Sequence, residues 1–235
     1  MNAEQPNLQM DPQLELFQSV AEFNHYLVRF IHHSWLQTIK LSPLVKQLRK
    51  AGNADYHLSH FLLKEFDLNN DFDYDFDEKH KRIALADEES ITKLAFYLGI
   101  ILNESVIRNT LRKQERLLLK KTLGEDGFRF AVKKAQFFSR IGTDLGPSFL
   151  IDWDHLDSFK RYLTQSGFQV LGRAFSESSP AFIKRLELKL PVSFRDTIWS
   201  SDRSSEKSDL DINQCKTLVV KAHKEVNKEW RHLFV

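Results

Sequence analysis

The stretch FLLKEFDLNNDFDYDFDEKH, residues 61–80, runs a leucine-rich segment straight into a string of carboxylates. Between Asp67 and Glu78 lie six acidic side chains and no basic one. Counted from Asp67, acidic or amide oxygens fall at positions 1, 3, 5, 7, 9 and 12, on Asp67, Asn69, Asp71, Asp73, Asp75 and Glu78. Oxygen ligands at that spacing are the pattern of an EF-hand calcium loop. Position 6 works against it. The loop turns sharply there and calls for glycine, whereas this chain has Phe72, a bulky residue at a place that needs positive φ. The following KHKRIALAD makes a poor amphipathic helix, and there is no second loop to pair with the first. The competing reading is an acidic loop after a helix, with Phe72, Tyr74 and Phe76 alternately tucked against the body.

Other chemistry finds less support. The chain has nine histidines, but His57 with His60, and His32 with His33, lack the H-E-x-x-H or C-x-x-C company of a zinc site. These histidines read as surface or half-buried groups on helices, and no metal ligand is expected. A G-x-S-x-G elbow is missing, and the single cysteine, Cys215, sits in an apolar stripe where a thiol behaves as a small hydrophobe. GEDGF and GTDLGPS lack the spacing of a phosphate loop. The expectation is a protein without catalytic residues or cofactor, and not an enzyme. The basic runs RKQERLLLKK (112–121) and Lys216, Lys221, Lys224 and Lys228 alternate with apolar stripes, as solvated helix faces do. Nucleic acid is not an expected partner.

These groups must be positioned by helices. The 235 residues include only eight glycines and six prolines, while 42% are hydrophobic and nineteen are phenylalanine, enough for a substantial core. Basic and acidic residues nearly balance, 34 against 32, for a net charge of +2. One cysteine fits a reducing compartment. MNAEQPNLQMDPQ carries no basic n-region or apolar stretch of a secretory signal. The longest wholly apolar run, LAFYLGIIL at 94–102, is far short of the roughly 20 residues that span a bilayer. A soluble, cytosolic chain is expected.

Residues 1–11 read as a flexible lead. Asp11 caps a helix with Pro12 at its first position, and Leu16, Val20, Phe23, Leu27 and Phe30 form its apolar stripe. Pro43 breaks or restarts the helix that follows, AGN at 51–53 is a turn, and Asn53 or Asp55 caps a helix ending near Phe66. DEESITKLAFYLGIILN is apolar nearly all round, so it belongs at the centre of a bundle. Gly99 in its middle costs about 1 kcal/mol against alanine, which implies a close helix neighbour. Residues 105–123 and 124–142 continue as helices, the second ended by Gly142, followed by a turn at TDLGPS and a long helix over DHLDSFKRYLTQSGFQVLGRAF. AFIKRLELKLPV is ambiguous: residues 181–186 permit a helix, and the alternation from Leu186 to Leu190 permits a strand. Residues 200–211 read as a mobile polar loop. Ile212, Cys215, Val219, Ala222 and Val226 mark a final helix docked on the body. The fold class expected is all-α, an irregular multi-helix bundle forming one domain over 12–235, with at most one short strand or hairpin near 186–199.

Several segments together resemble a known family. HLSHFLLKEFDLNNDFDYDF, LAFYLGIILNESVIRNTL, QSGFQVLGRAF, FIKRLELKLPV and AHKEVNKEWRHLF are similar, in this order, to segments of the SctK family (YscK or PscK in some systems). Those are accessory proteins of the type III secretion sorting platform. The resemblance covers roughly residues 23–235; the lead, the loop at 200–211 and the density of acid from Asp71 to Glu78 exceed the family pattern. It implies a helical cytosolic scaffold at the cytosolic face of the inner membrane. Its expected partners are the cytosolic domain of the inner-membrane ring protein (SctD-like) and the pod protein that carries the ATPase-stator assembly (SctQ-like). Association with the membrane-embedded apparatus is then through protein partners only. The candidate partner interface is Asp71, Asp73, Tyr74, Asp75, Phe76, Asp77 and Glu78, charges and aromatic anchors on one loop. On this expectation, exchanging Asp73, Asp75 and Asp77 for asparagine weakens ring attachment and leaves the fold intact. Two alternatives stand beside the scaffold: a type III secretion chaperone, and a calcium-binding protein using the 67–78 loop.

Overall fold

The structure, a computed structural model, describes residues 11–139, 151–195 and 211–234. The expectations for residues 1–10, for Gly142 and TDLGPS, and for 200–210 lie outside the described residues. Within them the elements are helical and no strand occurs, in agreement with the all-α reading.

Asp11 caps α1 (Pro12–His25), its carboxylate accepting from the Gln13 N–H at 3.0 Å, with Pro12 opening the helix. The apolar stripe continues past His25, but the helix does not. Tyr26 (φ −114°, ψ 53°) separates α1 from α2 (Leu27–Phe30). The reason is a competition for backbone partners. In an unbroken helix the Val28 N–H would bond the Asn24 carbonyl. Here the Ser59 hydroxyl takes the Val28 N–H at 3.2 Å, and the buried Arg185 guanidinium reaches the Asn24 carbonyl at 3.4 Å.

α3 (His33–Leu36), α4 (Ser42–Ala51) and α5 (Asp55–Glu65) follow, with Pro43 in the first turn of α4 and Gly52 (φ 71°) closing it. The expected cap of α5 is corrected: Ala54 occupies that position, without a side-chain bond, and Asp55 lies in the first turn. After the acidic loop come a short 3-10 helix (Lys81–Leu85), α6 (Glu88–Leu102), α7 (Glu104–Arg108) and α8 (Lys113–Lys133). Gly124 (φ 77°, ψ 162°) interrupts α8 where the sequence reading passes from one helix to the next. Then come α9 (Gln136–Ser139), α10 (Leu156–Phe175), α11 (Pro180–Lys189), α12 (Ile212–Val226) and a last 3-10 helix (Lys228–Phe234).

The centre is the crossing of α6 and α10. Leu94, Ala95, Leu98 and Ile101 of α6 are buried against Phe159, Leu163, Phe168 and Leu171 of α10. The two backbones touch at reciprocal small residues. A Cβ on Gly99 would overlap the Leu163 carbonyl, and one on Gly167 would overlap the Ala95 carbonyl. Glycine at both places is therefore a packing requirement, as the sequence implies for Gly99. α12 closes this core with Cys215, Val219 and Ala222.

A second apolar cluster gathers Leu27, Ile31, Trp35 and Leu36 with Leu58 and Leu62. α11 is the wedge between the two: Phe182, Leu186 and Leu190 enter the first cluster, Ala181 and Leu188 the second. The strand option at 186–190 is not taken. The helix ends at Lys189, and extended backbone at Leu190 carries the chain on while Trp35 Nε1 donates to the Leu190 carbonyl at 2.8 Å.

Candidate functional site

The acidic loop is carried between α5 and the 3-10 helix at Lys81, over the start of α11. Its conformation is set by one residue of α1. Asn24, fully buried, donates through Nδ2 to the Asp73 carbonyl at 2.7 Å and accepts through Oδ1 from the Asp73 N–H at 2.9 Å. A side-chain amide thereby does what a neighbouring strand does for a peptide unit. The Asp73 side chain points inward too. Its carboxylate accepts from Lys81 Nζ at 2.8 Å and 3.1 Å and from the Ser179 hydroxyl at 2.5 Å. Ser179 also caps α11, its Oγ accepting from the Phe182 N–H at 3.2 Å. Lys81 lies over the Phe76 and Phe182 rings, at 5.5 Å and 5.4 Å from their centroids.

These contacts divide the expected interface residues. Asp73 and Phe76 are buried within the chain and cannot meet a partner. Asp71, Tyr74, Asp75, Asp77 and Glu78 are exposed. Glu78 is committed in part, its carboxylate lying 3.1 Å from His80 Nδ1 and 3.3 Å from Lys216 Nζ on α12. Three outward carboxylates, Asp71, Asp75 and Asp77, make up the acidic strip, Asp75 with Lys81 Nζ 3.6 Å away at its inner edge. The triple exchange that includes Asp73 is corrected accordingly: it would break an internal ion pair, so it does not probe the surface alone.

The strip carries aromatic groups that the sequence reading only half identifies. Tyr74 is 58% exposed and its hydroxyl lies 2.7 Å from His25 Nε2. Phe72, expected to tuck in, is 39% exposed and stacks on Tyr74 and His25, ring centroids 6.0 Å and 4.9 Å away. Beside it, α1, the loop and the C-terminal 3-10 helix form an open groove of about 770 Å³. Leu16, Phe17, Val20, Tyr74, Phe76 and Leu233 line it, with Asp77 at its edge. No sequence signal distinguishes Phe17, 71% exposed, from its buried neighbours except its place off the α1 stripe.

Below the strip lie two buried basic side chains. Arg185, fully buried, donates to the carbonyls of Ala181, Asn24 and Leu68 at 3.2–3.4 Å. Burial lowers its pKa to about 10, against the pull of Asp71 and Asp73, so it stays charged at neutral pH. Four residues on, Lys189 donates to the Ala84 carbonyl at 2.5 Å and the Ala86 carbonyl at 2.8 Å. Arg185 and Lys189 both fall within the FIKRLELKLPV motif and are internal fastenings rather than part of a solvent face.

The same geometry answers the calcium question. The residue of positive φ is Asp67, at position 1, and not Phe72 at position 6, so the sharp loop turn is not made. The carboxylate of Asp73 is already shared between an ammonium and a hydroxyl. Among the described residues no three His, Cys, Asp or Glu side chains converge to hold a metal ion. The loop does not fit calcium. Of the histidines considered for zinc, His57, His60 and His33 are exposed and His32 is half-buried. Cys215 is buried, and burial pushes its thiol pKa up to about 11, away from reactivity. No helix of the described residues is long and apolar enough to cross a membrane.

No curated protein and no solved structure matches this chain. A family model does. The model of YOP proteins translocation protein K (YscK) matches residues 19–235, from the second turn of α1 to the last residue. It spans the acidic loop, the α6–α10 crossing and α11, the elements described above, and the chain belongs to the YscK family of type III secretion proteins.

Proposed function

We propose that this protein is a non-catalytic cytosolic adaptor of the type III secretion sorting platform. It links the cytosolic domain of the inner-membrane ring protein to the pod protein that carries the ATPase-stator assembly. The observation that carries this reading is the acidic strip on its rigid mount. Asp71, Asp75 and Asp77 face outward beside the exposed Phe72–Tyr74 pair, while Asn24 holds the Asp73 backbone and Lys81 and Ser179 hold its carboxylate beneath them. Outward charge favours fast, selective association, and preformed aromatic anchors reduce the ordering cost of binding. The basic side chains of a partner are the complement of such a surface. Family membership supports the secretion context.

The test is reconstitution from purified components. The adaptor reading expects a ternary complex of this chain, the ring protein's cytosolic domain and the pod protein on size exclusion, with the ring contact weakened by salt. Binding to neither partner by the folded protein would overturn it and favour the chaperone reading.

A further inference from the structure

A second surface of opposite character lies on α4. Of its ten residues only Val45 is buried. Leu41, Leu44 and Leu48 are 50%, 50% and 37% exposed, and at helical spacing they share one stripe about 60° wide. From Gln37 to Ala54 the chain holds Lys40, Lys46, Arg49 and Lys50 and no acidic residue. Arg49 turns back to the Ile31 carbonyl at 3.4 Å. Lys40, Lys46 and Lys50 are exposed and, among the described residues, have no carboxylate partner. Other exposed lysines, Lys64 and Lys221 among them, also lack an ion pair among the described residues, so the mark of this stretch is that four basic residues stand in it with no acidic one. The helix is thus short, bounded by Pro43 and Gly52, leucine-lined on one side, with Lys40 beside the leucines and Lys46 and Lys50 on the opposite, polar side.

We propose that α4 is an interfacial helix that binds an anionic lipid surface, with Leu41, Leu44 and Leu48 entering the headgroup–acyl boundary and Lys40, Lys46 and Lys50 meeting lipid phosphates and carboxylates. A basic, one-sided apolar helix has the composition of membrane-surface helices. The charge complement is a surface rich in anions, and each lysine near such a surface adds to retention over a Debye length. The three leucines crest a single helix instead of lining a recess. A fluid bilayer accepts such a crest without a shaped counterpart, which a protein partner must supply. This contact is direct, and so adds to an attachment otherwise assigned to protein partners alone. It does not depend on the adaptor reading, because it is measured with lipid and this chain only.

The experiment is flotation of the full-length protein with vesicles of phosphatidylserine and phosphatidylcholine in equal parts, and with pure phosphatidylcholine. Binding to the anionic vesicles that falls with salt is expected, with little binding to the neutral ones. Leu44→Ser with Leu48→Ser should lower the anionic partition at least about tenfold, since the buried apolar area sets the affinity. Lys46→Glu with Lys50→Glu should do the same without touching the leucines. Lys221→Glu, an exposed charge on α12, should leave it within about twofold, since charge away from the bilayer is screened. Circular dichroism of each variant checks that the fold is kept. No binding by the parent chain, or binding that all the α4 variants retain, overturns the proposal. Loss of pod-protein binding by the leucine variant, with no vesicle binding by the parent, would make this face a protein interface and also overturn it.

Discussion

Asn24 holds the peptide unit of Asp73 from both sides, 49 residues away in sequence, donating at 2.7 Å and accepting at 2.9 Å. The acidic strip owes its direction to that pair of bonds, because they fix which residues of an otherwise irregular loop face in. Asn24→Ala leaves a buried carbonyl and a buried N–H without partners, and should cost about 2–4 kcal/mol in urea denaturation. The loop should also become a preferred site of limited proteolysis.

Asp73 and Asp75 are alike in chemistry and opposite in role. Asp73→Asn removes one side of a buried ion pair with Lys81, so a loss of about 3–5 kcal/mol is expected. Asp75 is exposed, and its nearest cation is Lys81 at 3.6 Å. Asp75→Asn should stay within about 0.5 kcal/mol of the parent. The two denaturation curves, measured side by side, check the division of the loop.

At the α6–α10 crossing, glycines differ in what a methyl group would meet. Gly99→Ala or Gly167→Ala sets a Cβ into the backbone of the facing helix, which must part, at more than about 4 kcal/mol or with loss of the fold. Gly127 in α8 has ordinary contacts at 3.4–3.5 Å, so Gly127→Ala should stabilise by about 0.5–1 kcal/mol through helix propensity. Thermal melts of the three variants give the comparison.

Stability should depend on pH in two windows. Burial lowers Lys189 from 10.5 to about 7, with Asp87 opposing, so the fold prefers the neutral amine. Between those values the unfolded chain holds more protons, and stability should rise with pH. Lys189→Met should flatten that rise. Burial also lowers His80 and His223 from 6.5 to about 4. Across that range the unfolded chain again binds more protons, so stability should fall as pH drops, by at most about 1.4 kcal/mol per unit for each histidine. Urea midpoints taken across both windows test the signs.

The helical class, the central place of α6 and the meaning of Gly99 were legible because each rests on a local pattern: few breakers, an all-round apolar face, a small residue in its middle. The break at Tyr26 was not, since Leu27 and Phe30 carry the apolar stripe of α1 straight across it. Its causes, Ser59 and Arg185, are distant in sequence. α11 was ambiguous for a related reason. Helix and strand patterns both fit its residues, because Arg185 and Lys189 are buried against carbonyls and the leucines around them divide between two clusters. In the loop, composition marked the candidate site but could not separate Asp73 and Phe76 from their outward neighbours. That separation is made by Asn24, Lys81 and Ser179, none of which carries a sequence signal of its own.

The central claim is that the outward strip meets a partner. Its most direct test is calorimetric titration of the ring protein's cytosolic domain with the parent chain and with the Asp71→Asn, Asp75→Asn, Asp77→Asn variant. The account predicts affinity weakened at least about tenfold, with the melting temperature unchanged. Undiminished affinity in a variant that melts like the parent would contradict it.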